Sequence, residues 1–464
     1  MVSPATAAPA RSGIARIISA SLIGTTIEWY DFFLYGSAAA LVFNKLFFPS
    51  SEPLVGTLLA FLTYAIGFAA RPLGGLVFGH YGDKTGRKKL LVLSLLMMGG
   101  ATFAMGLLPT HASIGVGAPV LLTLLRLVQG FALGGEWGGA VLLVSEHGDD
   151  KNRGFWASWP QAGAPGGNLL ATGVLALLAA VQSDEAFLAW GWRIPFLLSG
   201  VLVVIGLWIR VSVSESPVFL EAQAKAAEQA AVGAREKPPV VEVFRTNWRG
   251  VLTAVGTRLG ENISYYILTA FLLVYVTTHL GLSKSDGLNA VLIGSAVHFV
   301  TIPAWGALSD RIGRRPVTLI GSLGMTGWAF AFFAMLDSRS FPVIAAAVTI
   351  GLLFHGAMYG PQAAFISEMF DTEVRYSGAS MGSQLASIIG GALAPIIAVA
   401  LLDDYDSSLP ISVYLAAAAV ITSATVLAAK ETRGRNLARS YSPTPVPVPG
   451  HRQAGADPVS ADRT

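Results

Sequence analysis

"GHYGDKTGRKK" occupies residues 79–89, and "GALSDRIGRRP" occupies residues 306–316. Gly79, Asp83, Gly86 and Arg87 of the first stretch recur, at one constant offset, as Gly306, Asp310, Gly313 and Arg314 of the second. A second set repeats in the same way. Ser145, Glu146, Arg153, Ala157 and Ser158 return as Ser367, Glu368, Arg375, Ala379 and Ser380, again at a constant offset. Two halves that carry the same charged loops at equivalent places imply an internal repeat. Parallel repeats of this kind are what alternating-access carriers are built from.

The stretches around the loops are apolar and long. Of the 464 residues, 53% are hydrophobic and only 13% are charged, against roughly 25% charged in a soluble domain. A membrane-spanning helix needs roughly 20 mostly apolar residues. Twelve segments qualify, near 15–46, 54–79, 89–109, 117–145, 154–181, 190–212, 247–280, 287–308, 316–336, 342–367, 377–402 and 410–429. The expected class is an all-α polytopic membrane protein of two six-helix, pseudo-symmetric bundles. Its expected parts are an N-terminal tail (1–14), a first bundle (15–213), a polar Ala-rich linker (214–246), a second bundle (247–429) and a disordered Pro/Ser-rich tail (430–464). Loop charges set the orientation. Lys84, Arg87, Lys88, Lys89, Lys151, Arg153, Arg311, Arg314, Arg315 and Arg375 fall in one set of loops, whereas the opposite set holds only Lys284 and Arg339. The basic loops and both termini are therefore expected on the cytoplasmic side of a bacterial plasma membrane.

The doubled G-x-x-x-D-x-x-G-R-[KR] loop resembles the signature of the major facilitator superfamily. "EWYDFFLYG", "RLVQGFALGGEWGGA" and "WGWRIPFLLSG" are similar to its metabolite:proton symporter family, over about residues 14–436. The resemblance implies the two-bundle major facilitator fold, with the first, fourth, seventh and tenth spans lining a central path. It also implies uptake of a small metabolite with protons. Members of that family carry shikimate, α-ketoglutarate, citrate, or proline and betaine. "RLGENISYYILTAF" in the seventh span and His355 in the tenth are most similar to its shikimate branch.

The loops have a mechanical reading. Asp83, Arg87, Asp310 and Arg314 can cap helix ends and form breakable ion pairs between the bundles. The glycines Gly79, Gly86, Gly306 and Gly313 allow close backbone approach. Glu146 with Arg153, and Glu368 with Arg375, read as partners of the same cytoplasmic gate.

Ionisable residues inside spans are functional by default, because insertion costs about 2.5–3.5 kcal/mol each. The sequence places Glu28 and Asp31 in the first span, Arg71 in the second, and Arg126 and Glu136 in the fourth. Arg258 and Glu261 lie in the seventh, His298 in the eighth and His355 in the tenth. At ~1.5 Å per residue, Asp31 lies roughly 20–24 Å along its helix and level with Arg126. An Asp31–Arg126 pair and an Arg71–Glu136 pair are expected. Glu28, Asp31 and His355 are the candidate proton carriers. Candidate substrate contacts are Asp31, Tyr35, Arg71, Arg126, Gln129, Glu136, Trp137, Gln161, Arg258, Glu261, Asn262, Tyr265, Tyr266, Tyr359 and Gln384. His298, on a flanking span, reads as structural. The arginines favour an organic acid, and a zwitterion such as betaine or proline is the second reading.

Several classes are excluded. Without cysteine there are no disulfides, thiolate nucleophiles or thiolate-held metals. No H-E-x-x-H or G-x-x-x-x-G-K-[ST] occurs, so neither an enzyme nor direct ATP drive is expected. A net charge of +3 gives no nucleic-acid reading. The expected partners are the solute, protons and the bilayer, for a monomer without metal or cofactor. Non-coupled facilitated transport stays open.

Overall fold

The computed structural model describes residues 11–49, 53–85, 87–134, 150–212, 239–370 and 375–435. Among them there is no strand, and helices follow one another with short connections. In chain order the long helices are α1 (Arg11–Ala38), α2 (Pro53–Thr85), α3 (Arg87–Leu107), α4 (Gly117–Leu133), α5 (Arg153–Val181) and α6 (Arg193–Ser212). The second six are α7 (Asn247–His279), α8 (Lys284–Ile312), α9 (Arg314–Leu336), α10 (Phe341–Met369), α11 (Met381–Tyr405) and α12 (Leu409–Ala428).

Eight of these are long and apolar enough to span a bilayer outright, and a ninth is Asp184–Gly191 joined to α6 through a 43° bend. The other three are α3 and α4, whose apolar stretches are shorter, and α1, whose apolar run carries Glu28 and Asp31. Leu62, Leu177, Val204, Val300 and Leu323 stand exposed on the outer helix faces, as expected where the solvent is lipid.

The packing has the symmetry of the repeat. Within the first half α1 packs on α5, α3 on α6, and α2 on α4; within the second, α8 and α9 pack on α10, and α7 packs on α11 and α12. Between halves, α5 packs along α8 and α2 packs along α11. Exchanging the halves turns one of these contacts into the other, which defines a pseudo-two-fold relation.

Small residues set the closest crossings. A Cβ on Gly306 of α8 would lie 2.6 Å from the carbonyl oxygen of Gly154 on α5. On α4, a Cβ on Gly130 would lie 1.9 Å from the Gly67 carbonyl oxygen, and one on Gly134, the residue that caps its C-terminal end, would lie 1.9 Å from that of Arg71.

Helix α7 departs from the expected segment. It continues a helix that starts at Pro239, across a kink at Asn247 (φ −137°). The helix therefore begins within the stretch read as linker. Two π-helical turns, Ile267–Phe271 and Tyr275–His279, lie further along α7, and a third, Ser387–Ala392, interrupts α11. Such turns re-aim side chains and recur at functional sites.

Candidate functional site

Two buried polar clusters face each other between the halves. The first is built on α1, α2, α3, α4 and α6. Asp31 is fully buried, and its Oδ1 accepts a 2.6 Å hydrogen bond from Ser199 of α6. Its Oδ2 has no hydrogen-bond partner among the described residues. Gln129 of α4 sits between this acid and Arg126. Its Oε1 accepts from the Arg126 guanidinium, while its Nε2 donates to Thr102 at 2.8 Å and to the Asp31 carbonyl at 3.4 Å.

The expected Asp31–Arg126 ion pair is therefore not formed. Equal depth put the residues level, but depth does not fix azimuth. Gln129, one turn along α4, takes the near side of the guanidinium. The rest of that guanidinium lies over the rings of Tyr35, Tyr64 and Phe32, 4.4, 4.6 and 4.7 Å from their centroids.

Arg71 joins the same box from α2. Its guanidinium lies 4.1 Å from the Phe68 centroid and 4.4 Å from that of Phe32. Both arginines are buried. Nε and Nη2 of each have no hydrogen-bond partner among the described residues. Cation–π contact offsets part of the cost of burying them but leaves these N–H groups unsatisfied. The Tyr35 and Thr63 hydroxyls are 2.5 Å apart, which fixes one wall. Tyr266 of α7 closes the box from the other half, its ring 5.8 Å from Phe68, 6.1 Å from Tyr64 and 6.2 Å from Phe32.

The second cluster centres on Glu261 of α7. Its Oε2 accepts from Gln362 and Asn262, both at 3.0 Å, and lies 3.8 Å from the Arg258 Nε. Arg258 also donates to Ser383 of α11 at 2.7 Å. Glu261 Oε1 lies 3.2 Å from His355 Nε2, and His355 Nδ1 lies 2.9 Å from His298 Nε2. Tyr265 and Tyr359 pack their rings 4.9 and 5.3 Å from His355.

The repeated spacing of the two loops leads to a third cluster, at the end of the bundles that carries Asp310. Asp310 accepts the backbone N–H groups of Gly154 and Phe155, both at 2.8 Å. A carboxylate from α8 thus caps the first turn of α5, which lies in the other half. Arg314 holds Asp310 at 2.7 Å and reaches Glu368 at 3.2 Å. Arg153 bonds the same Glu368 at 3.0 Å. Glu368 thus pairs across the halves with Arg153, whereas Glu146 and the Arg375 side chain, the other expected members of the gate, lie outside the described residues. Gly313, between α8 and α9, has φ +108°, a conformation that only glycine adopts without strain.

Residues 431–435, expected within the disordered tail, are docked on the second half. Glu431 accepts backbone N–H groups from Arg314 and Arg315 at 2.9 and 3.0 Å, and Thr432 donates to Glu368 at 2.6 Å. Arg435 donates to the Glu368 carbonyl at 2.7 Å. Unpaired amides at the start of α9 and the buried carboxylate of Glu368 give this polar segment partners that its composition does not show. At the opposite end of the bundles Lys284 and Asp184 form a second cross-half pair at 2.5 Å.

Glu28 is buried near Asp31, Gln161 is buried on α5, and Gln384 is half-buried on α11. Gly86, Glu136, Trp137 and Glu146 lie outside the described residues, and only the helical backbone is described at Gly79, Asp83, Arg87 and Arg375. The Arg71–Glu136 pair and the first copy of the gate fall there. Ser199, Thr102, Gln362, Ser383 and the ring trio Phe32, Tyr64 and Phe68 were not among the expected contacts. Helical spacing offered a signal for part of this set: Tyr64, Phe68 and Arg71 stand at i, i+4 and i+7 on one face of α2.

Two six-helix halves with buried charges between them define a transporter of the major facilitator type. Residues 17–440 match the family model described as "Sugar (and other) transporter", and the chain belongs to that family: it is a membrane transporter and not an enzyme. It is 42% identical over 420 residues to the shikimate transporter of Escherichia coli, covering 90% of this chain and 95% of that one. It is 35% identical over 429 residues to the proline/betaine transporter of Salmonella typhimurium, covering 91% and 85%. The fold matches the crystal structure of a D-xylose–proton symporter with a TM-score of 0.70 at 17% identity, covering 91% of this chain and all of that one.

Proposed function

We propose that the protein takes up a small organic acid, shikimate-like or another carboxylate metabolite, by proton symport through alternating access. The observation that carries this reading is the pair of buried arginines, Arg71 and Arg126, whose Nε and Nη2 groups lack partners inside an aromatic box. A guanidinium fork matches a carboxylate in two-point geometry. The rings of Phe32, Tyr64, Phe68 and Tyr266 suit the apolar face of a small ring or chain. Arg258, Asn262, Tyr265 and Tyr359 offer polar contacts from the second half.

In this reading Asp31 is the acid of the first half that exchanges the coupled proton. Ionised, it attracts Arg126 past Gln129; neutral, it leaves Arg126 to the substrate. Glu28 lies one turn away on the same helix, toward the cytoplasm. The Asp310, Arg314, Glu368 and Arg153 contacts form the cytoplasmic gate, closed in this conformation, with the basic loops facing the cytoplasm of a bacterial cell.

A zwitterion such as betaine is the second reading. The same aromatic box, with Glu261 nearby, would accept a quaternary ammonium, and the proline/betaine relative points the same way. Thermal melting of the purified protein with shikimate, small dicarboxylates or betaine separates the two. A ligand that binds only the folded state stabilises it by RT ln(1 + [L]/Kd). A rise with an acid supports the first reading, and a rise with betaine alone overturns it.

A further inference from the structure

Glu261, His355 and His298 come from three helices, α7, α10 and α8, and form an unbroken line of hydrogen-bonding atoms. Glu261 Oε1 lies 3.2 Å from His355 Nε2, and His355 Nδ1 lies 2.9 Å from His298 Nε2. All three residues are buried, and the far end of the line, His298 Nδ1, has no hydrogen-bond partner among the described residues. We propose that these three side chains are a one-proton relay that charges and neutralises Glu261 beside Arg258. The proposal rests on the proton-coupled reading above and deepens it by placing a second coupling site in the second half.

The hydrogen-bond roles follow from the geometry. A contact between two imidazole nitrogens needs a proton on one of them and a lone pair on the other. With Glu261 ionised, His355 donates its Nε2–H to the carboxylate. His355 Nδ1 is then the acceptor, His298 donates its Nε2–H, and His298 Nδ1 is left with a bare lone pair. That is the atom without a partner.

A proton delivered by water to His298 Nδ1 completes the other arrangement. An N–H bond forms at His298 Nδ1. The His298 Nε2–H bond breaks as its proton passes to His355 Nδ1. The His355 Nε2–H bond breaks as its proton passes to Glu261 Oε1. Each imidazole ends neutral with its proton moved to Nδ1, and Glu261 ends as a neutral acid. The net change is one proton gained.

The consequence falls on Arg258. Its Nε lies 3.8 Å from Glu261 Oε2, while its Nη1 is held by Ser383 at 2.7 Å. Neutralising Glu261 removes a negative charge 3.8 Å from the Arg258 Nε. Among the described residues the titratable groups that bear on the relay are few. Arg258 and Tyr265 stand on α7, Tyr359 on α10, and Arg71 faces Tyr266 from α2 in the other half. The packed faces of α5 and α11 present Asn168, which donates to Ser295 on α8, and Ser383, and neither titrates. The sequence reading set His298 aside because a lone histidine on a flanking helix is usually a packing residue; its place at the end of the line is a three-dimensional fact.

Nitrogen-15 NMR of the full chain carrying labelled histidine in lipid nanodiscs tests the relay without a substrate. His298→Gln and His355→Gln identify the two signals among the seven histidines. The relay predicts that both rings move from the Nε2–H to the Nδ1–H tautomer together, in one transition as the pH falls. It also predicts that Glu261→Gln abolishes that transition while both rings stay neutral. Two separate titrations to imidazolium, or a transition unchanged in Glu261→Gln, would overturn it. Concerted tautomer exchange in a protein that accumulates no organic acid would support the relay and count against the transport reading alone.

Discussion

Asp310 closes the helix that begins beside Gly154: one carboxylate oxygen accepts the Gly154 N–H, and the other accepts that of Phe155, each at 2.8 Å. The two residues belong to different halves, so this cap exists only while this end of the bundles is shut. Asp310→Asn keeps the shape but loses the charge and the 2.7 Å pair to Arg314. The closed state should weaken by about 1.5–3 kcal/mol, the range for hydrogen bonds to a charged group. Since the chain has no cysteine, Ser158→Cys gives a single reporter on the covered face of α5. Its maleimide labelling should accelerate at least several-fold in Asp310→Asn, and an unchanged rate would show that the cap does not hold the gate.

Gly306 makes the same point by shape. Its Cβ would fall 2.6 Å from both the Gly154 carbonyl oxygen and the Ser158 hydroxyl. Gly306→Ala should cost the closed state about 1–3 kcal/mol by overpacking and raise labelling at the same reporter. Gly327→Ala, where nothing lies within 4 Å of the added Cβ, is the control and should leave labelling as it was.

Arg71 and Arg126 should both matter for binding, and in a way lysine does not restore. Lysine keeps the charge but not the planar fork. Arg126→Lys and Arg71→Lys should each weaken binding of the transported acid about 10- to 100-fold, equivalent to about 1.5–3 kcal/mol. Isothermal titration of the purified variants measures this, and wild-type affinity in either would remove that arginine from the site.

The order of the spans, the class of fold and the paired loops were legible in the sequence because they depend on local length, hydropathy and repetition. Partner choice was not. Glu368 pairs with Arg153 and Arg314, and Gln129 separates Arg126 from Asp31, because those contacts depend on rotation about helix axes and on which half faces which. Depth along a helix follows from counting residues; azimuth between helices does not. The docking of Thr432 and Arg435 was hidden for a related reason: their composition is that of a free tail, and groups from elsewhere in the fold, on Glu368 and Arg153 and at the start of α9, hold the segment.

Glu431 supplies a pH signature outside the spans. Burial pushes its carboxyl up, but backbone N–H groups from Arg433, Arg314, Arg315 and Thr432 outweigh that and hold it below the ordinary glutamate value. A depressed carboxyl stabilises the folded state above its ordinary range and loses that contribution as pH falls through the folded value. Wild type should therefore melt above Glu431→Gln at neutral pH, with the gap narrowing below about pH 4.3, the unperturbed value. A gap independent of pH would mean that the carboxylate charge is not what docks the segment.

Proteoliposome uptake with an imposed proton gradient tests the account most directly. Wild-type protein should accumulate a shikimate-class acid above equilibrium, and a protonophore should abolish that accumulation. Asp31→Asn should lose the gradient-driven uptake and keep substrate exchange at zero gradient. Accumulation that survives the protonophore, or gradient-driven uptake undiminished in Asp31→Asn, would contradict it.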